Sequence, residues 1–287
     1  MFDIIVIGGG PAGVSAAVYA KARGKEILLL EKEAIGGLIG HVSKVSHYAS
    51  VGKDETGPSF KQKLIDQLND SHIPYAIETV EKLETTKDGF RVVTDKGEYD
   101  TKKVICATGV KLKELDVAQE ITKHWPLGSE ESLKGKVVVV NGGSDGACKE
   151  ALYISKFAKE VHIVQNQEAL MCIDEFKRQI VSCDTIHVHT SSSLKDVEMK
   201  DGRCVKVTLS DCEILSEEGI EIYVQIGQVG NTDLVKAYAD VENDFLAEDI
   251  TSKTPGLFFA GDVRVKAVKQ VATAVADGCL AGVLACK

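Results

Sequence analysis

The sequence predicts an α/β fold made of two three-layer units. Two glycine-rich turns and a size constraint carry that expectation. Gly8-Gly9-Gly10-Pro11-Ala12-Gly13 directly follows the apolar strand Phe2 to Ile7, and Gly142-Gly143-Ser144-Asp145-Gly146-Ala147 directly follows Val137-Val138-Val139-Val140. With 287 residues and 44% hydrophobic content, the chain has material for one large core or two moderate ones.

Composition narrows the setting. Met1 is followed at once by a strand, so no signal or transit peptide is expected. No apolar run approaches the ~20 residues a membrane helix needs. A net charge of −9 disfavours nonspecific nucleic-acid binding. Eight cysteines without a secretion signal point to thiols in a reducing compartment. The expectation is a cytoplasmic protein with neither nucleic-acid nor membrane partners.

The first unit reads strand, glycine turn, helix, strand, acid, which is the Rossmann-like order of a dinucleotide site. Asp3 to Ile7 is the strand, Ala12 to Ala22 the helix, Ile27-Leu28-Leu29-Leu30 the second strand, and Glu31 stands at its end. Gly8 permits the tight turn, Gly10 lets backbone approach a pyrophosphate, and Gly13 lets helix and strand pack closely. Helix N–H groups face the phosphates, and Glu31 is placed to accept from an adenosine ribose. Further on, Phe60, Leu64 and Leu68 share one helical face. Phe90 to Thr94 and Glu98 to Asp100 flank Asp95-Lys96-Gly97 as a hairpin. Leu194 to Met199 and Cys204 to Leu209 form a second hairpin about Asp201-Gly202.

Later segments add specificity. Gly36-Gly37-Leu38, Val45-Ser46-His47-Tyr48, Ala107-Thr108-Gly109, the run Thr254 to Asp262 and Lys269-Gln270-Val271 occur in this order. Together with the first turn they resemble the low-molecular-weight thioredoxin reductase family of flavoproteins over nearly the whole chain. His47 stands where that family usually has a flavin-contacting Asn. Gly227-Gln228-Val229-Gly230-Asn231 resembles its I-G-x-x-P-N segment, with Gly230 in place of Pro. The resemblance implies two Rossmann-like domains: an FAD-binding domain at 1–112 and 243–287, and an inserted NADPH-domain-like unit at 113–242. Val110 to Leu115 and Ala239 to Asp244 are the expected connections. It implies FAD held by Gly8, Gly10, Pro11, Ala12, Gly13, Glu31, Lys32, Gly36, Gly37, Leu38, His41, His47, Thr108, Gly109, Gly261, Asp262, Lys269, Gln270 and Val271. It also implies a homodimer.

The second turn departs from the family's GGGxSA. Ser144 takes the third glycine's place and adds a side chain where a pyrophosphate would approach; Gly146 takes the serine's. After the strand Val161-His162-Ile163-Val164 the family has H-R-R-x-x-x-R, whose arginines grip the 2′-phosphate of NADPH. Here the three positions are Asn166, Gln167 and Met171. Charge-assisted phosphate bonds are about twice as strong as neutral ones, so NADPH affinity is expected to fall severely. No acid stands at Gln165 to select NAD, although Glu168 is near. Gly142, Ser144, Asp145 and Gly146 remain candidates to hold another nucleotide, a second FAD included.

The family's CxxC is missing as well, for Trp125-Pro126-Leu127-Gly128 contains no cysteine. Cys106, Cys204, Cys212 and Cys279 read as structural. Cys148 opens a helix whose dipole favours a thiolate, but burial there favours an inert thiol. Cys172 and Cys183 flank a helix-like segment of ten residues. That spacing resembles the diflavin-linked disulfide oxidoreductases, a pyridine-nucleotide-independent branch close to the ferredoxin-dependent flavin thioredoxin reductases. The resemblance implies a Cys172/Cys183 redox pair. On one straight helix these Cα atoms would lie ~16 Å apart, against the roughly 4.4–6.8 Å of a disulfide. The pair therefore needs a chain reversal or a second protomer, and two unpaired thiols stay open as the other reading.

The leading expectation is a flavin-dependent disulfide oxidoreductase fed by a carrier such as ferredoxin and acting on a thioredoxin-like disulfide. Arg264, Lys266 and Lys269 are candidates for docking an acidic carrier. The alternatives are a ferredoxin or flavodoxin reductase using NAD(P)H, and a non-enzymatic flavin-binding protein.

Overall fold

The computed structural model describes all 287 residues, which form two compact units. One comprises Met1–His41, Val45–Lys111 and Val229–Lys287; the other comprises Val42–Lys44 and Leu112–Gln228.

The first unit opens with β1 (Phe2–Ile7), α1 (Pro11–Lys21) and β2 (Ile27–Glu31). After α2 (Gly57–Asp70) come β3 (Tyr75–Ile77), β4 (Val80–Thr86), β5 (Gly89–Thr94) and β6 (Glu98–Cys106). Phe60, Leu64 and Leu68 of α2 are buried, as their spacing predicts. The sheet order is β3-β2-β1-β6-β5-β4. β6 pairs parallel with β1 along one edge and divides its other edge between two partners. Its first residues pair antiparallel with β5, forming the expected hairpin, and Val104 to Cys106 pair parallel with a strand from the end of the chain.

β7 (Val110–Leu112) leads into the second unit. There β8 (Thr122–Lys123), α3 (Glu130–Leu133), β9 (Val137–Asn141), α4 (Asp145–Ile154), β10 (Glu160–Val164), α5 (Asp174–Val181) and β11 (Ile186–His189) follow. A meander of β12 (Leu194–Lys200), β13 (Arg203–Leu209) and β14 (Glu213–Leu215) precedes β15 (Ile220–Val224). The parallel sheet runs β11-β10-β9-β15-β8. The valine run of β9 is apolar throughout because both faces are covered. Val138 and Val140 pack with Ala147, Ile154 and Phe176 from α4 and α5. Val137 and Val139 pack on the other face with Leu194, Val207 and Leu209 of the meander.

β16 (Gln228–Gly230) pairs with β7 and returns the chain to the first unit. This return falls earlier than the 239–244 connection expected from sequence. Val235 is fully buried among Leu30, Val92 and Phe259, so the segment after Gln228 belongs to the first core. β17 (Val241–Glu242), β18 (Phe245–Leu246), β19 (Leu257–Phe259) and α6 (Val271–Leu284) complete it. A Cβ at Gly278 would stand 2.1 Å from Ala12 O, and one at Gly282 2.5 Å from Ala16 O. Those two glycines bring α6 into backbone contact with α1.

At the edge of the second sheet, His162 stacks against His187 and His189. Burial first, then the neighbouring His189 and His187, pushes His162 down to about 4, against a weaker upward pull from Glu160. An unfolded histidine titrates near 6.5, so below that pH the unfolded chain gains a proton the native state refuses. Stability is thus fully present above pH ~6.5 and is lost as pH falls toward 4, by roughly 2 kcal/mol after discounting for partial exposure. Urea midpoints at pH 7.5 and 5 should show this drop, and His162→Gln should flatten it. An equal slope in the variant would refute the assignment.

Candidate active site

The first glycine turn is built by close approach. Gly8 has φ +107°, and a Cβ there would lie 2.2 Å from Ala107 O; a Cβ at Gly13 would lie 1.8 Å from Gly8 O. Gly10 differs, because its Cβ would meet nothing nearer than Gly36 O at 4.0 Å. Open space over Gly10, at the start of α1, is what an approaching pyrophosphate requires. Pro11 occupies the first helical turn, where a missing N–H costs nothing. The buried Glu31 accepts from Gly9 N–H at 2.7 Å and from Glu33 N–H at 3.0 Å, so its carboxylate is held at the rim.

The other predicted FAD residues converge on this turn. Gly36 N–H donates to Gly9 O at 2.8 Å, and the Gly37 Cβ position lies 3.5 Å from Gly10 Cα. Leu38 and His41 belong to the 3-10 turn Gly37–His41 that follows. Thr108 Oγ1 donates to Asn231 O, and Asn231 Nδ2 returns a bond to Thr108 O, each 2.8 Å. A cavity of about 320 Å³ opens here, lined by Gly8, Glu31, Lys32, Thr108 and Asn231 among others. Gly261, at φ +82°, places its Cβ position 2.8 Å from Ala12 Cβ. Asp262 Oδ1 is buried and has no hydrogen-bonding donor aligned with it, although Lys266 Nζ lies at 3.1 Å. Gln270 caps α6, with its N–H bonded to Thr273 Oγ1 at 3.2 Å, and Val271 begins that helix. His47 has φ +59°, a conformation that glycine and asparagine tolerate better. A glycine cradle with an unfilled acceptor beyond it fits an extended dinucleotide with hydroxyls.

Two contributors escape a sequence reading. Asn231 locks the Thr108 turn; its only signal is its place at the end of the Gly227 to Asn231 segment. Asp277 accepts from Gly261 N–H at 3.0 Å and pairs with Arg264 and Lys266. Nothing local in α6 marks it. Gly230 also gains a reason: its N–H donates to Asp244 O at 3.0 Å, a bond that proline would delete.

The basic patch expected at Arg264, Lys266 and Lys269 is not available as one. Arg264 is paired with Asp249 and Asp277, Lys266 with Asp262 and Asp277, and their side chains are 12% and 13% exposed. Lys269 donates to Arg264 O at 2.6 Å and covers the Phe245 ring; burial lowers its pKa. These cations anchor the FAD-side strand end instead of facing a partner.

In the second unit Gly142 repeats the Gly8 geometry, with φ +136° and a Cβ position 2.2 Å from Gln225 O. Ser144 is exposed and extended at the N-cap of α4, so its side chain occupies the open side of the turn, the space that is left free over Gly10 in the first unit. Gly146 has its nearest neighbour, Gln225 Oε1, at 3.5 Å and is not sterically required. Gln165 packs over Gly143 with a neutral amide, 2.7 Å from the Cβ position there. Asp145 decides more than Ser144. Its carboxylate sits in the first turn of α4 and accepts from Ile173 N–H at 2.8 Å. That negative charge lies in the first turn of the helix, whose positive end attracts anions. With its carboxylate held by Ile173 N–H, Asp145 adds negative charge to this helix end. Asn166, Gln167 and Met171 are exposed and bring no cation.

The cysteines are rearranged relative to expectation. α5 stands between Cys172 and Cys183 without reversing, so one chain does not bring them together. Cys172 faces Cys148 instead. Met171 N–H bonds to Gly143 O and Ile173 N–H to Asp145, which seats Cys172 against the first turn of α4. Both thiols are buried, and all eight cysteines are free. Burial first, with the Cys172 thiol second, pushes the Cys148 pKa well up; the helix dipole loses. Cys183 is partly exposed, and its bond to Thr185 Oγ1 at 3.4 Å lowers its pKa.

The fold, the open glycine cradle and the second, altered turn define a two-unit dinucleotide oxidoreductase. The chain belongs to the pyridine nucleotide-disulphide oxidoreductase family, which matches residues 2–278. It is 28% identical over 300 residues to a thioredoxin reductase of Peptoclostridium acidaminophilum, covering 98% of this chain and 95% of the relative. A crystal structure of T. acidophilum thioredoxin reductase superposes with a TM-score of 0.91 at 26% identity, covering 99% and 97% of the two chains. A ferredoxin-flavin thioredoxin reductase from Clostridium acetobutylicum shares the fold, with a TM-score of 0.55 at 23% identity and coverage of 99% and 96%. No helix is long and apolar enough to cross a membrane.

Proposed function

We propose that this chain is an FAD-dependent disulfide oxidoreductase of the thioredoxin reductase type that works without NADPH. It would take electrons singly from a carrier such as reduced ferredoxin and deliver them in pairs to a protein disulfide. One observation carries the reading: the first cradle is complete, while the second ends in neutral Gln165, Asn166, Gln167 and Met171 behind the carboxylate of Asp145. The relative whose printed name couples ferredoxin, flavin and thioredoxin supports it as a precedent for the fold.

FAD supplies the change from one-electron to two-electron chemistry when bound. Gly8, Gly10 and Gly13 would admit its pyrophosphate, Glu31 and Lys32 border the adenosine side, and Asp262 would accept from a ribityl hydroxyl. The α6 N-terminus behind Gln270 would favour negative charge near the isoalloxazine. A carrier near −400 mV and a dithiol near −270 mV differ by about 6 kcal/mol per electron pair, so no pyridine nucleotide is needed. Cys172 keeps its assignment as a redox thiol, with Cys148 as its partner inside one chain. A homodimer with one flavin per protomer is the proposed assembly.

Anaerobic titration of the purified flavoprotein tests the donor. Reduced ferredoxin should bleach the flavin absorbance within seconds, while NADPH and NADH at millimolar concentration should leave it unchanged for minutes. Fast bleaching by NADPH would overturn the reading in favour of an NAD(P)H-dependent ferredoxin or flavodoxin reductase.

A further inference from the structure

Three of the chain's seven histidines stand together at the edge of the second unit's sheet. His162 in β10 lies opposite His187 in β11, and His189 is two residues further along the same face. His162 Nδ1 and His189 Nε2 are 3.0 Å apart, so one ring gives its proton to the other's lone pair. Beyond His189, its Nδ1 faces Cys212 Sγ at 3.7 Å and Asp211 Oδ2 at 4.0 Å. One ligand atom from each of His189, Asp211 and Cys212 lies within 4.8 Å of the other two.

We propose that His189 Nδ1, Cys212 Sγ and Asp211 Oδ2 form a binding site for a borderline-soft divalent cation of the zinc type. The donor set comes first. Thiolate and imidazole select zinc-like ions, whereas calcium and magnesium take oxygen cages. Spacing agrees: tetrahedral zinc with ordinary Zn–N, Zn–S and Zn–O lengths holds its ligand atoms about 3.3–3.6 Å apart. The two separations from His189 need to close by a few tenths of an ångström, and the Asp211–Cys212 separation lies within 4.8 Å. Metal binding forms the Zn–S bond and releases the Cys212 thiol proton to solvent.

The surroundings are those a metal-bound histidine uses. With His189 Nδ1 as ligand, Nε2 carries the proton and donates it to His162 Nδ1, which fixes the tautomer. His162 Nε2 then carries its own proton and turns toward Glu160 Oε2 at 3.7 Å. Ser192 Oγ donates to Asp211 Oδ1, leaving Oδ2 for the ion. Asp211 is 53% exposed, so the ion has a way in. Three protein ligands leave a fourth position open to water or an incoming group.

The test uses the flavin-loaded protein, equilibrated with Zn²⁺ at pH 7.5 after metal stripping. One zinc per chain with micromolar or tighter affinity is expected, and zinc-edge X-ray absorption should show one sulfur among nitrogen and oxygen neighbours. Cys212→Ser should remove the sulfur signal and weaken binding at least tenfold, and His162→Gln should weaken it roughly 10–100-fold through the lost support. A Cys148→Ser/Cys172→Ser double variant controls for binding at the other close thiols and should keep both signals. Zinc should also raise the urea midpoint of the wild-type protein and not that of Cys212→Ser. Less than one zinc per chain at 100-fold the protein's micromolar concentration, no sulfur neighbour, or unchanged binding in Cys212→Ser overturns the site. None of these readouts depends on the redox reading.

Discussion

Gly8→Ala is expected to yield protein without bound flavin and to destabilise the first unit by roughly 2–5 kcal/mol. The added methyl meets Ala107 O at 2.2 Å, and the backbone there has φ +107°. A side chain forced into a sparsely allowed conformation costs about 1–3 kcal/mol, and overpacking costs a similar amount. Gly10→Ala is the informative contrast. Its methyl enters open space, so the unfolding free energy from urea titration should stay within about 0.5 kcal/mol of wild type. Flavin binding should still fall steeply, because the methyl fills the space over the turn. Flavin released per chain and the urea midpoint, measured together, separate a turn needed for folding from one needed for the ligand. A Gly10→Ala protein carrying a full complement of flavin would contradict the placement of the pyrophosphate.

Cys172→Ser should reduce disulfide-reducing turnover by at least about 10³-fold, the scale seen when a nucleophile is removed. The proposed carrier should still bleach the flavin, since the block falls after flavin reduction. Cys148→Ser should lose as much, because the two thiols share one pocket between the glycine turn and Met171 to Ile173. Cys183→Ser should stay within a few-fold of wild type. The opposite pattern, with Cys183→Ser inactive and Cys148→Ser active, would mean that Cys172 reaches Cys183 of a second protomer. Full activity in Cys172→Ser would remove this cysteine from the reaction altogether.

Much of the first unit was legible because its motifs are local. Gly8, Gly10 and Gly13 sit at spacings set by one turn and one helix, and Glu31 closes the same unit. The thiols were less legible, for the opposite reason. Spacing along the chain suggested Cys172 and Cys183, but α5 keeps them at opposite ends, and two backbone bonds from another segment present Cys172 to Cys148. The basic patch failed similarly, since Asp249 and Asp277 are remote in sequence from Arg264 and Lys266. In the second turn, Ser144 drew attention by changing the motif, yet the carboxylate of Asp145 beside it carries the larger electrostatic consequence.

The α/β class, the two strand–turn–helix units, the intact and altered glycine turns, and the missing arginines and CxxC can all be read along the chain. All of these are short-range patterns, fixed by backbone sterics or by the presence of a charge. Three-dimensional packing settled which cysteines meet, which cations are already neutralised, and that His162, His189, Asp211 and Cys212 share one corner. Those depend on partners brought together by burying apolar faces, and no local spacing records that.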